Sequence, residues 1–223
     1  MILLMESSSY AQGYEERRQN PDVGPLIFDP ANIHELTRLP NRAAYNEATA
    51  YAIETFPGNF AVVLLDSDGL KAVNDEYGHA AGNRYIIETA QALEESVRET
   101  DLALVIHLSG DEFALILPGV SRQDDLKGII ARIQSQLDAK KKPTSMGGKV
   151  HTPGETATEL FDTTDSLLKN NKLIRAYDNS TPEQRQFAVA TVARALELGM
   201  SPRDIAKLAA AAALREAGLN IAK

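Results

Sequence analysis

The chain has 223 residues, a net charge of −8, 43% hydrophobic and 24% charged residues, the make-up of a soluble globular protein with one ordinary domain plus an appendage. The acidic balance argues against general binding to DNA or RNA, where phosphate contacts need clustered Lys and Arg, although metal ions can screen an acidic site for a small anionic ligand. There is no cysteine, which excludes disulfides, Cys-ligated zinc and thiol catalysis and is compatible with a cytoplasmic location, the one expected.

Met1–Met5 is too short for a signal-peptide core or a membrane span, and no later run of about 20 apolar residues exists, so no membrane association is expected. Residues 1–30 have no sustained period and read as a leader, flexible apart from a short helix near Tyr10–Arg18. Leu39-Pro40-Asn41-Arg42 reads as a helix start with Asn41 as N-cap; the helix runs to about Glu54, and Pro57-Gly58 ends it. Phe60–Leu65 is a continuous apolar run rich in branched residues, the pattern of a central strand covered on both faces.

That strand stops at Asp66-Ser67-Asp68-Gly69, and a second helix is expected from about Gly82 to Arg98. Leu102–Leu108 and Phe113–Leu117 are apolar runs separated by Ser109-Gly110-Asp111-Glu112, which predicts a hairpin with an acidic tip. A helix capped by Ser121 runs to about Leu137, Lys140–Pro143 breaks it, Thr144–Val150 forms a strand, and Ala157–Asn170 a helix. Alternating helices and strands make this an α/β or α+β sandwich. Thr181-Pro182-Glu183-Gln184 resembles a capped helix start; Gly199 ends that helix and Ser201-Pro202 starts another through Ala217, giving a C-terminal helical hairpin over 177–223.

Two acidic turns carry the chemistry. Asp66 and Asp68 end a buried strand, and Asp111 and Glu112 sit at the hairpin tip; if the hairpin pairs beside the first strand, the carboxylates converge. Mg²⁺ takes oxygen ligands, usually one or two carboxylates with substrate phosphates and water. Two such ions can neutralise a triphosphate and activate a hydroxyl for in-line displacement. Gly69 permits close backbone approach to phosphates, and Lys71 adds a point charge. Acids and glycines are also common in ordinary turns, and residue patterns alone go no further than a metal-site candidate.

Asp66 through Asn83, followed by Ser109-Gly110-Asp111-Glu112-Phe113, resembles the GGDEF family, with Leu36–Arg42 similar to its lead-in segment. Thr144-Ser145-Met146-Gly147 and Thr164 through Lys172 resemble its later strand and last helix more faintly, so the likeness spans about 31–176. It implies an α+β fold of palm or ferredoxin-like type with a central antiparallel sheet. It also implies condensation of two GTP into cyclic di-GMP between two domains, hence a homodimer. Carried over by position, Asp66 and Asp111 would bind Mg²⁺ or Mn²⁺, with the Ser67 carbonyl assisting. Glu112 would organise the metal or activate the 3′-hydroxyl beside Asp111. Gly69, Leu70, Lys71 and Lys172 would hold phosphates, and Asn74 the purine.

The departures from the pattern are as informative. Asn83 stands where the family has Asp, which accepts from two guanine donors. Its NH₂ would oppose one of them, a conflict of about 1–3 kcal/mol, whereas an amide suits the donor-plus-acceptor edge of adenine. Relaxed GTP selectivity with ATP admitted, a tolerated substitution and a decayed site stay open. Ser109 replaces the first glycine of the family's signature, which matters only if that position needs positive φ. His107, where Arg is common, reads as structural rather than catalytic. Arg98 and Asp101 have the pattern of a product-inhibition pair, but the seven residues 102–108 set them too far from the turn, and an ordinary surface ion pair is expected. Arg175 lies one position short of a phosphate-binding arginine. The C-terminal hairpin is expected to dimerise or bind a protein partner rather than DNA, its Ala-rich helix offering few base-reading side chains. The competing functions are a cyclic-dinucleotide synthase, a catalytically weak nucleotide-binding regulatory module, and an interaction scaffold.

Overall fold

The structure, a computed structural model, describes residues 32–101, 103–178 and 180–183, together with scattered positions between 186 and 199. In chain order the elements are α1 (Arg42–Thr55), β1 (Phe60–Ser67), α2 (Leu70–Tyr77), α3 (His79–Ser96), a 3₁₀ turn at Glu99–Asp101, β2 (Leu104–Ser109), β3 (Glu112–Pro118), α4 (Gln123–Ala139), β4 (Thr144–Val150) and α5 (Ala157–Asp178). The strands form one sheet in the order β2-β3-β1-β4, and all three pairings are antiparallel. The α+β expectation holds.

Strand periodicity explains the layers. Successive side chains point to opposite faces of a sheet, and here each face meets helices. Ala61, Val63, Leu65, Phe113 and Leu115 pack with Ile86 and Leu93 of α3 and Leu126 and Ile133 of α4. Phe60, Val62, Leu64, Ala114 and Ile116 pack with Tyr45 and Ala48 of α1 and Leu160 of α5. With both faces covered, no polar alternation survives in β1, which is why Phe60–Leu65 is an unbroken apolar run. Asn41 caps α1 as expected, its Oδ1 accepting from the amides of Ala43 and Ala44 at 2.9 and 3.2 Å.

The structure adds one helix and moves three helix boundaries. Residues 70–77, to which the sequence pattern assigns no element, form α2, and α3 begins at His79 rather than Gly82. α2 fully buries no residue; its short apolar spacing, Leu70, Val73 and Tyr77, ends with Tyr77 exposed, and its flanking glycines look like loop punctuation. Gly69 (φ 91°) and Gly78 (φ 79°) instead supply the left-handed turns that start and stop it. The cap of α4 is Arg122 rather than Ser121, and α5 continues to Asp178 rather than ending near Asn170.

By contacts the chain falls into two compact units, 1–168 and 169–223. In the second, Pro182 and Glu183 are helical and Gly199 adopts φ 68°, the geometry that ends a helix. The leader and the expected helix from Ser201 to Ala217 lie outside the described residues.

Candidate active site

The site grows from the C-terminal end of β1. Asp66 is in register with Glu112 on β3 and with Ser145 on β4. One residue on, the Ser67 amide donates to the Asp111 carbonyl at 2.9 Å, which ties the hairpin tip to the end of β1. The two acidic turns thus share one edge of the molecule. Asp66 and Asp111 are half-buried and Glu112 is exposed.

The hairpin turn is two residues long, Gly110-Asp111, with Ser109 opposite Glu112 and an irregularity in the ladder between His107 and Ser109. Gly110 holds φ 54°, the conformation for which its position needs glycine. Ser109 lies outside the positive-φ region, so serine fits there without backbone strain. Its hydroxyl donates to Glu112 Oε2 at 3.1 Å, and Arg42 Nη2 lies 3.7 Å from the same oxygen while its guanidinium sits 5.1 Å from the centre of the Phe161 ring. Arg42 and Ser109 therefore orient Glu112, although an exposed pair of this kind contributes little stability.

The second acidic turn is held as firmly. Ser145 Oγ donates to both carboxylate oxygens of Asp68 at 2.9 and 3.1 Å, the Tyr85 hydroxyl donates to the Asp68 carbonyl at 2.9 Å, and the Asp68 amide donates to the Pro143 carbonyl at 2.9 Å. Gly69 is exposed, and a β-carbon there would meet nothing, so glycine is required by φ and not by space. Leu70 packs against the core, and Lys71 is exposed on the first turn of α2.

Asn74 and Asn83 share one helix pair. A β-carbon at Gly82 would collide with Asn74 Oδ1, so the Asn74 amide lies against the residue preceding Asn83 on α3. Asn83 is exposed. Lys172 and Arg175 lie on α5, in the part of it that belongs to the second unit.

His107 is 1% exposed, and its ring is stacked between those of His34 (centroids 3.7 Å apart) and Phe113 (4.6 Å). Nε2 lies 3.0 Å from the Gly110 carbonyl, which can only accept; Nε2 therefore carries the proton and Nδ1, 3.0 Å from Thr37 Oγ1, accepts from that hydroxyl. Burial lowers the His107 pKa from 6.5 to about 4, the Gly110 carbonyl opposing that shift and His34 reinforcing it. A neutral ring satisfies both contacts.

Asp101 does not form the expected surface ion pair with Arg98. Its carboxylate is paired with Arg132 in a largely buried contact and accepts from the Arg98 amide at 2.8 Å, while the Arg98 side chain is exposed. The acidic carboxylate of the presumed inhibitory pattern is already engaged.

Among the described residues no three His, Asp or Glu side chains cluster as a ready-made metal cage. The donors at the strand end are carboxylates and carbonyls, hard oxygens suited to a cation that keeps water and substrate phosphates as its other ligands. Arg42, Ser145, Tyr85, His34 and Thr37 escaped the reading of the sequence. Thr37 and Arg42 lie in the lead-in segment Leu36–Arg42, and Ser145 in the later-strand segment Thr144–Gly147, that the family resemblance covers.

Residues 31–176 match the family model described as "Diguanylate cyclase, GGDEF domain". The chain belongs to the GGDEF-domain family. The GGDEF domain is 41% identical over 152 residues to the bifunctional diguanylate cyclase/cyclic di-GMP phosphodiesterase MucR of Pseudomonas aeruginosa, a match covering 63% of this chain and 22% of MucR. Against the diguanylate cyclase TpbB of the same species it is 38% identical over 123 residues, covering 52% of this chain and 28% of TpbB. The chain thus spans about a quarter of the length of these relatives. Among solved structures, diguanylate cyclase SiaD of Pseudomonas aeruginosa, crystallised with its activator SiaC, superposes with a TM-score of 0.58 at 26% identity, over 73% of this chain and 65% of that one. No helix among the described residues is long and apolar enough to cross a membrane.

Proposed function

We propose that this GGDEF domain is a cyclic-dinucleotide synthase that condenses two purine nucleoside triphosphates, GTP and also ATP, as a homodimer. The observation that carries this reading is the junction of the two acidic turns: Asp66 opposite Glu112, with the Ser67 amide bonded to the Asp111 carbonyl. In the reaction the 3′-hydroxyl of each nucleotide attacks the α-phosphorus of the other, the bond to pyrophosphate breaks, and the hydroxyl proton departs. Two such steps yield one 3′,5′-cyclic dinucleotide and two pyrophosphates.

Asp66, Asp111 and the Ser67 carbonyl would hold Mg²⁺ or Mn²⁺, which when bound neutralises phosphate charge and lowers the pKa of the attacking hydroxyl. The rest falls to side chains and backbone. Glu112, oriented by Ser109 and Arg42, accepts or relays the hydroxyl proton. The amides after Gly69 at the start of α2 face the phosphates, and Lys71 adds positive charge. Asn74 and Asn83 read the base, and the amide of Asn83 accommodates an adenine edge that an aspartate would repel. Most of the rate comes from positioning and charge neutralisation.

A nucleotide-binding regulatory module without turnover is the second reading, favoured by Asn83. Incubating the protein with GTP, with ATP and with both, in Mg²⁺ or Mn²⁺, and resolving products by mass separates the two. Cyclic products from GTP and from ATP support the synthase with relaxed selectivity, and strict GTP use removes the relaxed selectivity. Bound nucleotide with no cyclic product selects the regulatory module.

A further inference from the structure

The lead-in segment closes on itself and then fastens to the acidic turn through one residue. Its ends are tied by the Asn41 amide donating to the Asn32 carbonyl at 2.8 Å, and its interior by the His34 amide to Leu39 (2.7 Å) and the Arg38 amide to His34 (2.9 Å), with Arg38 at φ 64°. This preformed loop meets β2 at His107 by three routes. The His107 amide donates to the Pro40 carbonyl at 2.8 Å, the Thr37 hydroxyl donates to Nδ1, and the His34 ring lies on the His107 ring. From the far side of the same imidazole, Nε2–H donates to the carbonyl of Gly110, the residue before Asp111.

We propose that His107 is a positioning residue: its neutral imidazole, held by Thr37 and His34, fixes the Gly110 carbonyl and so sets the orientation of Asp111 at the site. The inference rests on the proposed role of Asp111. Three features support it beyond simple packing. The ladder is irregular between His107 and Ser109, so regular strand pairing does not by itself fix the turn. A two-residue turn with glycine at its first position has wide backbone freedom, and the imidazole bond to Gly110 removes part of it. The tautomer is dictated at both nitrogens, so packing by an apolar ring of the same size would not reproduce the link.

The experiment compares His107→Gln, His107→Asn and His107→Phe in the full chain. A Gln amide nitrogen reaches the place of Nε2 and keeps the bond to Gly110; Asn offers an acceptor to Thr37 but loses the donor to Gly110; Phe keeps only the stack. His107→Gln should stay close to the parent in turnover, whereas Asn and Phe should each lose about tenfold to a hundredfold in kcat with little change in KM, as expected for misplaced reacting groups. Independently of turnover, hydrogen exchange of the 107–113 amides should quicken in the Asn and Phe variants and not in Gln. Parental kcat and protection in His107→Phe, or a Gln variant as impaired as Asn, would overturn the positioning role. Should Phe not fold, the Gln and Asn pair decides. Asp111→Ala is the parallel control: unchanged turnover there overturns the underlying role of Asp111, while its loss alongside parental behaviour in all His107 variants overturns only the inference about His107.

Discussion

The two halves of the site are built differently. The hairpin end, carrying Asp66, Asp111 and Glu112, is joined to the central strand by ladder and turn hydrogen bonds and backed by fully buried Phe113 and His107. The α2–α3 end, carrying Asn74 and Asn83, presents a helix with no buried residue and an exposed amide. On the proposed function, chemistry on phosphate would rest on the sheet, and choice of base on side chains set on the exposed helix pair. Substitutions at the first should change rate, and those at the second should change which nucleotide is used.

The largest effect is expected at Asp66. Asp66→Ala should lower cyclic-dinucleotide formation by roughly 10²–10³-fold, the scale of removing one preorganised charge-stabilising group, while leaving the melting temperature near the parental value. A melting temperature that falls with the activity would recast Asp66 as structural. Next is Gly82→Ala, which separates affinity from stability. The added methyl displaces the end of Asn74, so KM for nucleotide should rise roughly tenfold, the worth of one lost polar contact. Alanine's helix propensity should meanwhile hold or raise thermal stability. An unchanged KM would remove Asn74 from base recognition.

Asn83→Asp addresses the base directly. Restoring a double acceptor should raise the ratio of GTP to ATP turnover by about 5- to 150-fold, the range of 1–3 kcal/mol, with no change in the melting temperature. The same ratio in both proteins would place selectivity elsewhere. The smallest effect belongs to the buried stack. His107 has its pKa lowered from 6.5 to about 4, so between those values the unfolded chain binds the extra proton and the folded chain does not. This contribution to stability is full above pH 6.5 and declines as pH falls towards 4. Burial also lowers the pKa of His34, against the opposing charge of Glu35, which acts in the same direction. Denaturant titrations across this window should show a shallower decline in His107→Gln, and parallel curves would contradict the buried neutral ring.

The sheet and most helices were legible because burial leaves local marks. Phe60–Leu65 is apolar throughout because both faces of β1 are covered, and Asn41 announces α1 by a side chain that can cap it. The convergence of the acidic turns followed from pairing the hairpin with β1. α2 was hard to read for the opposite reason, since an eight-residue helix between two positive-φ glycines, with no fully buried residue, gives only two turns of apolar spacing. Nor does the sequence announce contacts between distant segments: Thr37 and His107 lie 70 residues apart, and Arg132 takes Asp101 from across the chain. Residue type alone marks His107 as structural; its links to Thr37 and Gly110 exist only in the folded chain.

The proposed activity depends most on Asp111, whose carbonyl the hairpin bonds to the end of β1. The most direct measurement is mass-resolved cyclic-dinucleotide formation by the parent chain and Asp111→Ala, side by side in saturating Mg²⁺ with GTP and ATP. The parent should give product and the variant should lose it, with both chains folded. Equal product from the two would contradict the proposed role of Asp111.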